Sequence, residues 1–461
     1  MNTSKQFRIE HDSIGEVKVP KNMYYGAQTQ RALDNFQISG TRLQHSIIKA
    51  QGIIKASAAM ANMKNGQLDE EMGRAIIQAA EEVTIGKWDN HFVVDVYQAG
   101  AGTSQNMNVN EVIANRASEI LGGSIESKLV HPNDHVNMSQ STNDTFHSAF
   151  NMAAAEGLVN NLIPAITKLV EALKKKSEEL MPIVKSGRTH LHDAIPIRLG
   201  QEFSGYAETI AHTLKQLEGN LDTLYEIGLG GQAIGTEFNL HPKYIPNVMD
   251  EVCKRTKLPF RSPQNMFAFT QNPRAAIRTM LTLKELAVHL IKITSDLRLL
   301  SSGPRTGFAE ISLPSVQPGS TIMPGKVNPA ILEMVHMVSC QIIGYEAAMA
   351  TAGIAGQLEI NVMMPVMAFT LIHSIDLLTN AITTLVTKCI DGIEGNVEKC
   401  REHMENSLAL VTGLSSSMGY DLASQIGMQA DEENKSLEQV LKEKGLLTKE
   451  TMSAIDPNSM V

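Results

Sequence analysis

Apolar residues recur at three- and four-residue steps between Asn151 and Leu180, where Leu158, Leu162, Ile166, Leu169, Val170 and Leu173 trace one stripe. That spacing puts them on a single helical face, and about thirty residues of helix span about 45 Å. A second pattern runs from about Arg274 to Leu300. A third runs from Val366 to Val386, where Leu371, Ile375, Leu378, Ile382 and Leu385 step by four, three, four and three. Helices this long must bury their stripes against one another, which predicts a mainly α protein with an elongated central bundle, and oligomerisation to cover further apolar faces. No sustained strand–helix alternation competes with that reading. Pro164 predicts a kink in the first helix and Pro365 a helix start.

The flanks are patterned differently. Gly15, Pro20, Gly26 and Gly40 interrupt the first 45 or so residues, predicting irregular or short-strand structure with helices beginning near Ser46. From about Gly395 the periodic segments shorten and become more charged, as in Asp431 to Lys444. Three domains are expected: an N-terminal mixed domain over 1–140, a central long-helix domain over 141–394, and a small helical C-terminal domain over 395–461.

Composition narrows the classes. The 461 residues suffice for a large core, and 40 Lys+Arg against 49 Asp+Glu give a net charge of −9. The two signs are interspersed, so electrostatics give no case for nucleic acid as a partner. Only 5 % of residues are aromatic, with 24 Met and the single Trp88, which predicts a core of aliphatic and thioether side chains. No stretch reaches about 18 uninterrupted apolar residues, and Met1 to Glu10 is polar, so a cytoplasmic protein without a membrane segment is expected. Cys253, Cys340, Cys389 and Cys400 include no CxxC pair and are expected to stay reduced.

Four polar, glycine-bearing loops punctuate the helices: Ala99-Gly-Ala-Gly-Thr-Ser-Gln-Asn106, Asn137-Met-Ser-Gln-Ser-Thr-Asn-Asp144, Ser186-Gly-Arg-Thr-His-Leu-His-Asp193, and Gln317-Pro-Gly-Ser-Thr-Ile-Met-Pro-Gly-Lys-Val-Asn-Pro329. Any one has ordinary loop and N-cap composition. Together they offer many hydroxyls and amides, one lysine and almost no carboxylates, a donor set suited to a small dicarboxylate. Gly319 to Asn328 is not a nucleotide P-loop, since five residues separate Gly319 from Gly325 and Val327 follows the lysine. The His190/His192 and His131/His135 pairs lack Cys or carboxylate companions at ligand spacing, so no metal is expected.

The run Gly319-Ser-Thr-Ile-Met-Pro-Gly-Lys-Val-Asn328 resembles the GSSxMPxKxN signature of the aspartase/fumarase superfamily. The resemblance extends over nearly the whole chain, through Ile9-Glu-His-Asp-Ser-Ile-Gly15, Tyr24-Tyr-Gly-Ala-Gln-Thr29, Gly102-Thr-Ser-Gln-Asn-Met-Asn108, Gly187-Arg-Thr-His190 and Ser302-Gly-Pro-Arg305. It implies a three-domain fold with a central helix bundle, assembled as a homotetramer whose active sites combine loops of three subunits. It also implies reversible elimination from a substituted succinate to give fumarate, without a cofactor.

Residue by residue, the resemblance makes Ser320 the base on a mobile loop and has Lys326 and Asn328 hold one carboxylate. Thr103, Ser141, Thr142 and Thr321 become donors to the dianion that forms at the other carboxylate. Thr189, Asn143 and His190 lie near the α-carboxylate and leaving group, and Glu333 orients His190. Removing a proton beside a carboxylate demands such preorganised donors.

Within the superfamily, Ser141-Thr142-Asn143-Asp144, Gly100-Ala-Gly-Thr-Ser104, Asp193-Ala-Ile-Pro196 and Gly356-Gln-Leu358 look like the aspartase branch. Phe203-Ser-Gly-Tyr206 and Met107-Asn-Val-Asn110 look like the fumarase branch. The resemblance therefore implies release of ammonia from L-aspartate, with fumarate hydration as the alternative and a family paralogue without activity or with another substrate as a third reading. Several positions depart from the family pattern: Gln232, Glu237 at a family glycine, His147 at a family proline, Tyr345-Glu346, and Met364. If that glycine adopts positive φ, Glu237 costs about 1 kcal/mol. Placed near the site, Glu237 or Glu346 would repel a dicarboxylate and favour an amine-bearing or less acidic substrate.

Overall fold

The computed structural model describes residues 7–461, so the first six residues of the polar Met1–Glu10 opening lie outside the described residues. The chain is mainly α, and its strands form three two-stranded antiparallel sheets. Its contacts group it into two compact units. One gathers residues 1–164, 215–285 and 340–379; the other gathers 165–214, 286–339 and 380–461. Each unit collects stretches that are separate in sequence, joined through long-range packing. The C-terminal segment does carry its own apolar cluster, including Met404, Leu410, Leu414, Ile426, Val440 and Leu441.

Four long helices, Leu199–Leu224, Arg274–Leu300, Ala330–Ile354 and Met364–Lys388, supply the bundle. Tyr206 Oη donates to Asp296 Oδ2 at 2.9 Å, Thr213 Oγ1 lies 3.2 Å from His289 Nδ1, and Asn220 Nδ2 donates to Thr282 Oγ1 at 2.9 Å. One partner climbs by seven residues as the other falls by seven, so the first two helices run antiparallel with a polar rung every second turn. Arg274–Leu300 pairs with Ala330–Ile354 in the same sense. Lys284 meets Glu346 at 2.5 Å, and a Cβ on Gly353 would lie 2.8 Å from Ile277 Cδ1, so glycine allows the close approach.

The expected stripes are buried: Leu158 and Leu162 in one helical turn with Ile166 and Leu173 in the helix that follows it, and Leu371, Ile375, Leu378, Ile382 and Leu385 in another helix. Pro164 is accommodated by a π-helical turn, Leu158–Leu162, between the helices Thr142–Gly157 and Ile163–Leu180. Pro365 lies in the first turn of Met364–Lys388, where its missing N–H has no intrahelical partner to lose. Met364–Gly392 is long and apolar enough to cross a membrane by length and composition, but 56 % of its most apolar window is buried, as in a core helix. All four cysteines are free; Cys389 and Cys400 are buried.

The early chain holds one element that the pattern did not predict. After the Phe7–Asp12/Gly15–Pro20 hairpin comes the helix Ala27–Asn35. Its N-terminus is capped from a distance: Glu111 accepts from the backbone N–H groups of Gly26, Gln28 and Thr29 at 2.8, 2.9 and 3.1 Å, and from Thr29 Oγ1 at 2.6 Å. Orphan amides satisfied by a carboxylate some 85 residues away leave no local signature.

Candidate active site

The candidate residues fall into two groups, one in each unit. In the first unit, Thr103 opens the helix Thr103–Ile120 after Gly102, which has φ 86°. A Cβ on Gly102 would lie 2.3 Å from Phe146 Cδ2, so only glycine lets this helix start press against the helix Thr142–Gly157. The second helix is N-capped by Ser141, whose hydroxyl accepts from Asn143 N at 3.3 Å, while Asp144 closes a capping box onto Ser141 N at 3.0 Å. Thr103 and Ser141–Thr142–Asn143 thus sit at two helix N-termini, where the helix dipole favours an anion.

Beneath these starts lies a cation that sequence reasoning missed. Lys55 is fully buried, and its Nζ donates to Asn106 Oδ1, Asn137 Oδ1 and Gln140 Oε1 at 2.9, 2.9 and 3.0 Å. Burial pushes its pKa down to about 7, with the charge of Asp144 opposing the fall. Burial likewise pushes Asp144 up to about 6, against the backbone donors of Ser141, Gln232 and Gly230 and the charge of Lys55. Asn106 in turn donates through Nδ2 to Thr142 Oγ1 at 3.0 Å. A signal existed: Lys55 is the one charge in the small-residue and apolar run from Gln51 to Asn62.

In the second unit, strands Val184–Thr189 and His192–Arg198 meet at a two-residue turn of His190 and Leu191, with φ of 57° and 61°. Both are non-glycine residues held left-handed, a local strain that presents Thr189 and His190 as exposed side chains at the hairpin tip. The hairpin is anchored by fully buried Glu310, whose carboxylate meets Lys185 at 3.0 Å, Arg188 at 2.8 Å and His403 at 2.9 Å. The 319–328 loop is closed by Gly319 N donating to Lys326 O at 2.8 Å and Asn328 Nδ2 donating to Gly319 O at 2.7 Å. Glycine is required there, since a Cβ on Gly319 would lie 2.4 Å from Asn328 N.

Ser320 Oγ accepts from the N–H groups of Ile322 and Met323 at 3.2 and 2.9 Å. Two backbone donors aimed at one hydroxyl oxygen favour its oxyanion. Thr321 and Lys326 are exposed, while Glu333 lies half-buried in the first turn of Ala330–Ile354. Among the described residues, no hydrogen bond joins His190 to Glu333 within the chain.

The departures also find their places. The loop after Gly230 packs on the Thr142–Gly157 start: Asp144 Oδ2 accepts from Gly230 N and Gln232 N at 3.1 and 3.0 Å, and Asn143 Nδ2 donates to Ala233 O at 2.7 Å. Glu237 keeps the left-handed backbone at φ 55° and is exposed. Its side chain accepts the strain that glycine would avoid. Glu346 is buried against Lys284, so its charge is neutralised and the repulsive role considered for it falls away. Tyr345 packs edge-on against Phe369 and His373. His147 is buried, and desolvation holds its pKa down to about 4 despite support from the Thr270 backbone. Met364 is buried at the start of its helix.

Comparison with known proteins agrees with this architecture. A family model described as Lyase matches residues 15–344, and one described as Fumarase C C-terminus matches residues 410–461. The chain is 46 % identical over 452 residues to a class II fumarate hydratase of Thermus thermophilus, covering 98 % of this chain and 97 % of the relative. It is 44 % identical over 459 residues to an aspartate ammonia-lyase of a Bacillus species, covering 99 % and 97 %. Its fold matches the crystal structure of a class II fumarase from Schistosoma mansoni with a TM-score of 0.96 at 36 % identity, covering 98 % of this chain and 99 % of that one. A fumarate lyase:delta crystallin from Brucella melitensis matches with a TM-score of 0.93 at 42 % identity, covering 98 % of each chain. With the loop signature, the helix-bundle fold and full-length relatives in agreement, the chain belongs to the aspartase/fumarase superfamily of lyases.

Proposed function

We propose that the protein catalyses the reversible elimination of ammonia from L-aspartate to give fumarate. Ser320, as its alkoxide, takes a proton from the carbon beside the β-carboxylate. The C–H electron pair moves into that carboxylate as an aci-dianion, then returns to form the C=C bond as the C–N pair departs with ammonia. Thr103, Ser141, Thr142 and Thr321 donate hydrogen bonds to the dianion, Lys326 and Asn328 hold the α-carboxylate, and Thr189, Asn143 and His190 line the leaving-group side with Glu333 orienting His190. These groups are brought together across subunits of a homotetramer. The observation that carries ammonia as the leaving group is the Asn143–Ala233 hydrogen bond, which docks the loop bearing the exposed Glu237 against the helix start that binds substrate. A carboxylate there attracts an ammonium group and repels an unsubstituted dicarboxylate.

Hydration of fumarate to L-malate is the second reading, favoured by the fumarate hydratases among the relatives. Ultraviolet detection of fumarate, with ammonia assayed in parallel, separates the two. The expected result is fumarate and ammonia from L-aspartate; fumarate from L-malate alone would establish the hydratase instead. Glu237→Gly should strengthen product inhibition by fumarate about threefold, and unchanged or weaker inhibition would remove the repulsive role.

A further inference from the structure

We propose that Lys55 is a positioning residue that fixes Thr142 as a hydrogen-bond donor to the reacting carboxylate. The inference rests on the lyase reading above, in which Thr142 contacts substrate, and adds to it a residue that touches no substrate.

Donor count fixes the orientation of the groups around Lys55. An ammonium group has three N–H donors and no acceptor, so only oxygens can face it. Lys55 Nζ meets three amide oxygens, those of Asn106, Asn137 and Gln140, and among the described residues no carboxylate lies within bonding distance. An amide whose oxygen is held by the cation must turn its NH2 the other way. For Asn106 that NH2 faces Thr142 Oγ1 at 3.0 Å and Asn137 Oδ1 at 3.3 Å. For Gln140 it faces the carbonyls of Val136 and Met138, and Asn137 Nδ2 donates to Gln140 O, which together fix the turn leading into the Ser141 cap.

Thr142 Oγ1 therefore accepts from inside the protein, and no described residue takes its own proton. That proton is left to donate outward at the helix N-terminus. A hydroxyl that already accepts from a polarised donor is also a stronger donor itself. With a neutral residue at position 55 the oxygen of Asn106 would keep only the 3.3 Å bond from Thr145 Oγ1, whose shorter bond goes to Ser141 O at 2.9 Å, a weaker hold than the cation's. The Asn106 amide could reverse and offer Oδ1 to Thr142, whose proton would then point inward and be lost to the developing dianion. Lys55 is completely buried, and among the described residues no carboxylate pairs with it, so a charge kept out of water here has a cost that this orientation explains.

A double-mutant cycle on the full-length protein tests the chain of contacts. Lys55→Met should lower kcat for L-aspartate by about 10- to 100-fold, the range for a hydrogen bond to a charged group, with KM little changed because the bond strengthens only as the dianion forms. In a Thr142→Val background, where no hydroxyl remains to orient, Lys55→Met should cost less than about threefold. In a Thr142→Ser background, which restores the hydroxyl, the full loss should return. If Lys55→Met does not fold, Lys55→Gln in the same three backgrounds answers the question, since it removes the charge while keeping polarity. Equal losses in the wild-type and Thr142→Val backgrounds would mean that Lys55 acts through its field or through general packing, and would overturn the assignment while leaving the lyase reading intact. Absence of turnover of both L-aspartate and L-malate by the unmodified protein would overturn the reading and this assignment with it.

Discussion

Ser320→Ala is expected to reduce kcat for fumarate formation about a thousandfold, the middle of the range for a positioned proton-transfer group, while KM and thermal stability change little. The side chain removed is small and sits on a loop closed by Gly319, Lys326 and Asn328 rather than by its own hydroxyl. What it takes away is the oxygen at which two backbone N–H groups converge. The experiment also probes assembly. If the two groups of site residues act across subunits, mixing Ser320→Ala chains with Thr142→Val chains, each slow alone, under conditions of subunit exchange should raise the activity above that of either variant, because some sites then draw both intact residues from different chains. Full activity in Ser320→Ala would remove Ser320 as the base. A kcat loss accompanied by a lower unfolding temperature would mean that the loop, not the proton transfer, had been damaged.

Glu310→Ala should be the most destabilising single substitution considered, costing about 3–5 kcal/mol as measured by the urea midpoint. The Glu310 side chain is fully buried and meets Lys185, Arg188 and His403. Its loss leaves Lys185, 2 % exposed, with Glu202 at 2.8 Å as its one remaining carboxylate among the described residues, and takes from Arg188 the carboxylate it pairs with. Both cations belong to the strand Val184–Thr189, so the hairpin tip carrying Thr189 and His190 should loosen and activity should fall with stability. The same carboxylate predicts a pH dependence. Burial opposes its ionisation, but hydrogen bonding from Arg188 and the charges around it outweigh burial and hold its pKa below the usual 4.5. A carboxylate depressed in the folded state contributes its stability above the unfolded pKa and loses it as pH falls through the lower folded value. The wild type should therefore lose stability below about pH 4.5, and Glu310→Ala should lose less over that interval. Equal acid sensitivity of the two proteins would place the effect on other carboxylates.

Much of the architecture was legible in the sequence because it is encoded locally. The three- and four-residue steps of Leu371, Ile375, Leu378, Ile382 and Leu385 identify a buried helical face wherever the helix packs, and these residues are indeed buried. The Gly319–Asn328 signature is likewise consecutive, so family membership followed from residues adjacent in the chain. Even the strain at Glu237 could be framed in advance, because a side chain at a position that needs positive φ carries its cost whatever surrounds it.

Other features depend on partners distant in sequence. The helix Ala27–Asn35 has no capping residue of its own and owes its start to Glu111. Glu346, a possible source of repulsion on sequence grounds, is neutralised by Lys284, sixty-two residues away. Lys55 reads locally as an isolated charge in an apolar helix. Only folding surrounds it with amide oxygens from Asn106, Asn137 and Gln140 and thereby orients the hydroxyl of Thr142. The sequence by itself determined the helical class, the buried faces and the superfamily, because periodicity and contiguous motifs need no partner. Tertiary structure alone decided which charges are matched, which helix ends are capped and which way the site's donors point, because burial and hydrogen-bond geometry exist only once separated segments meet.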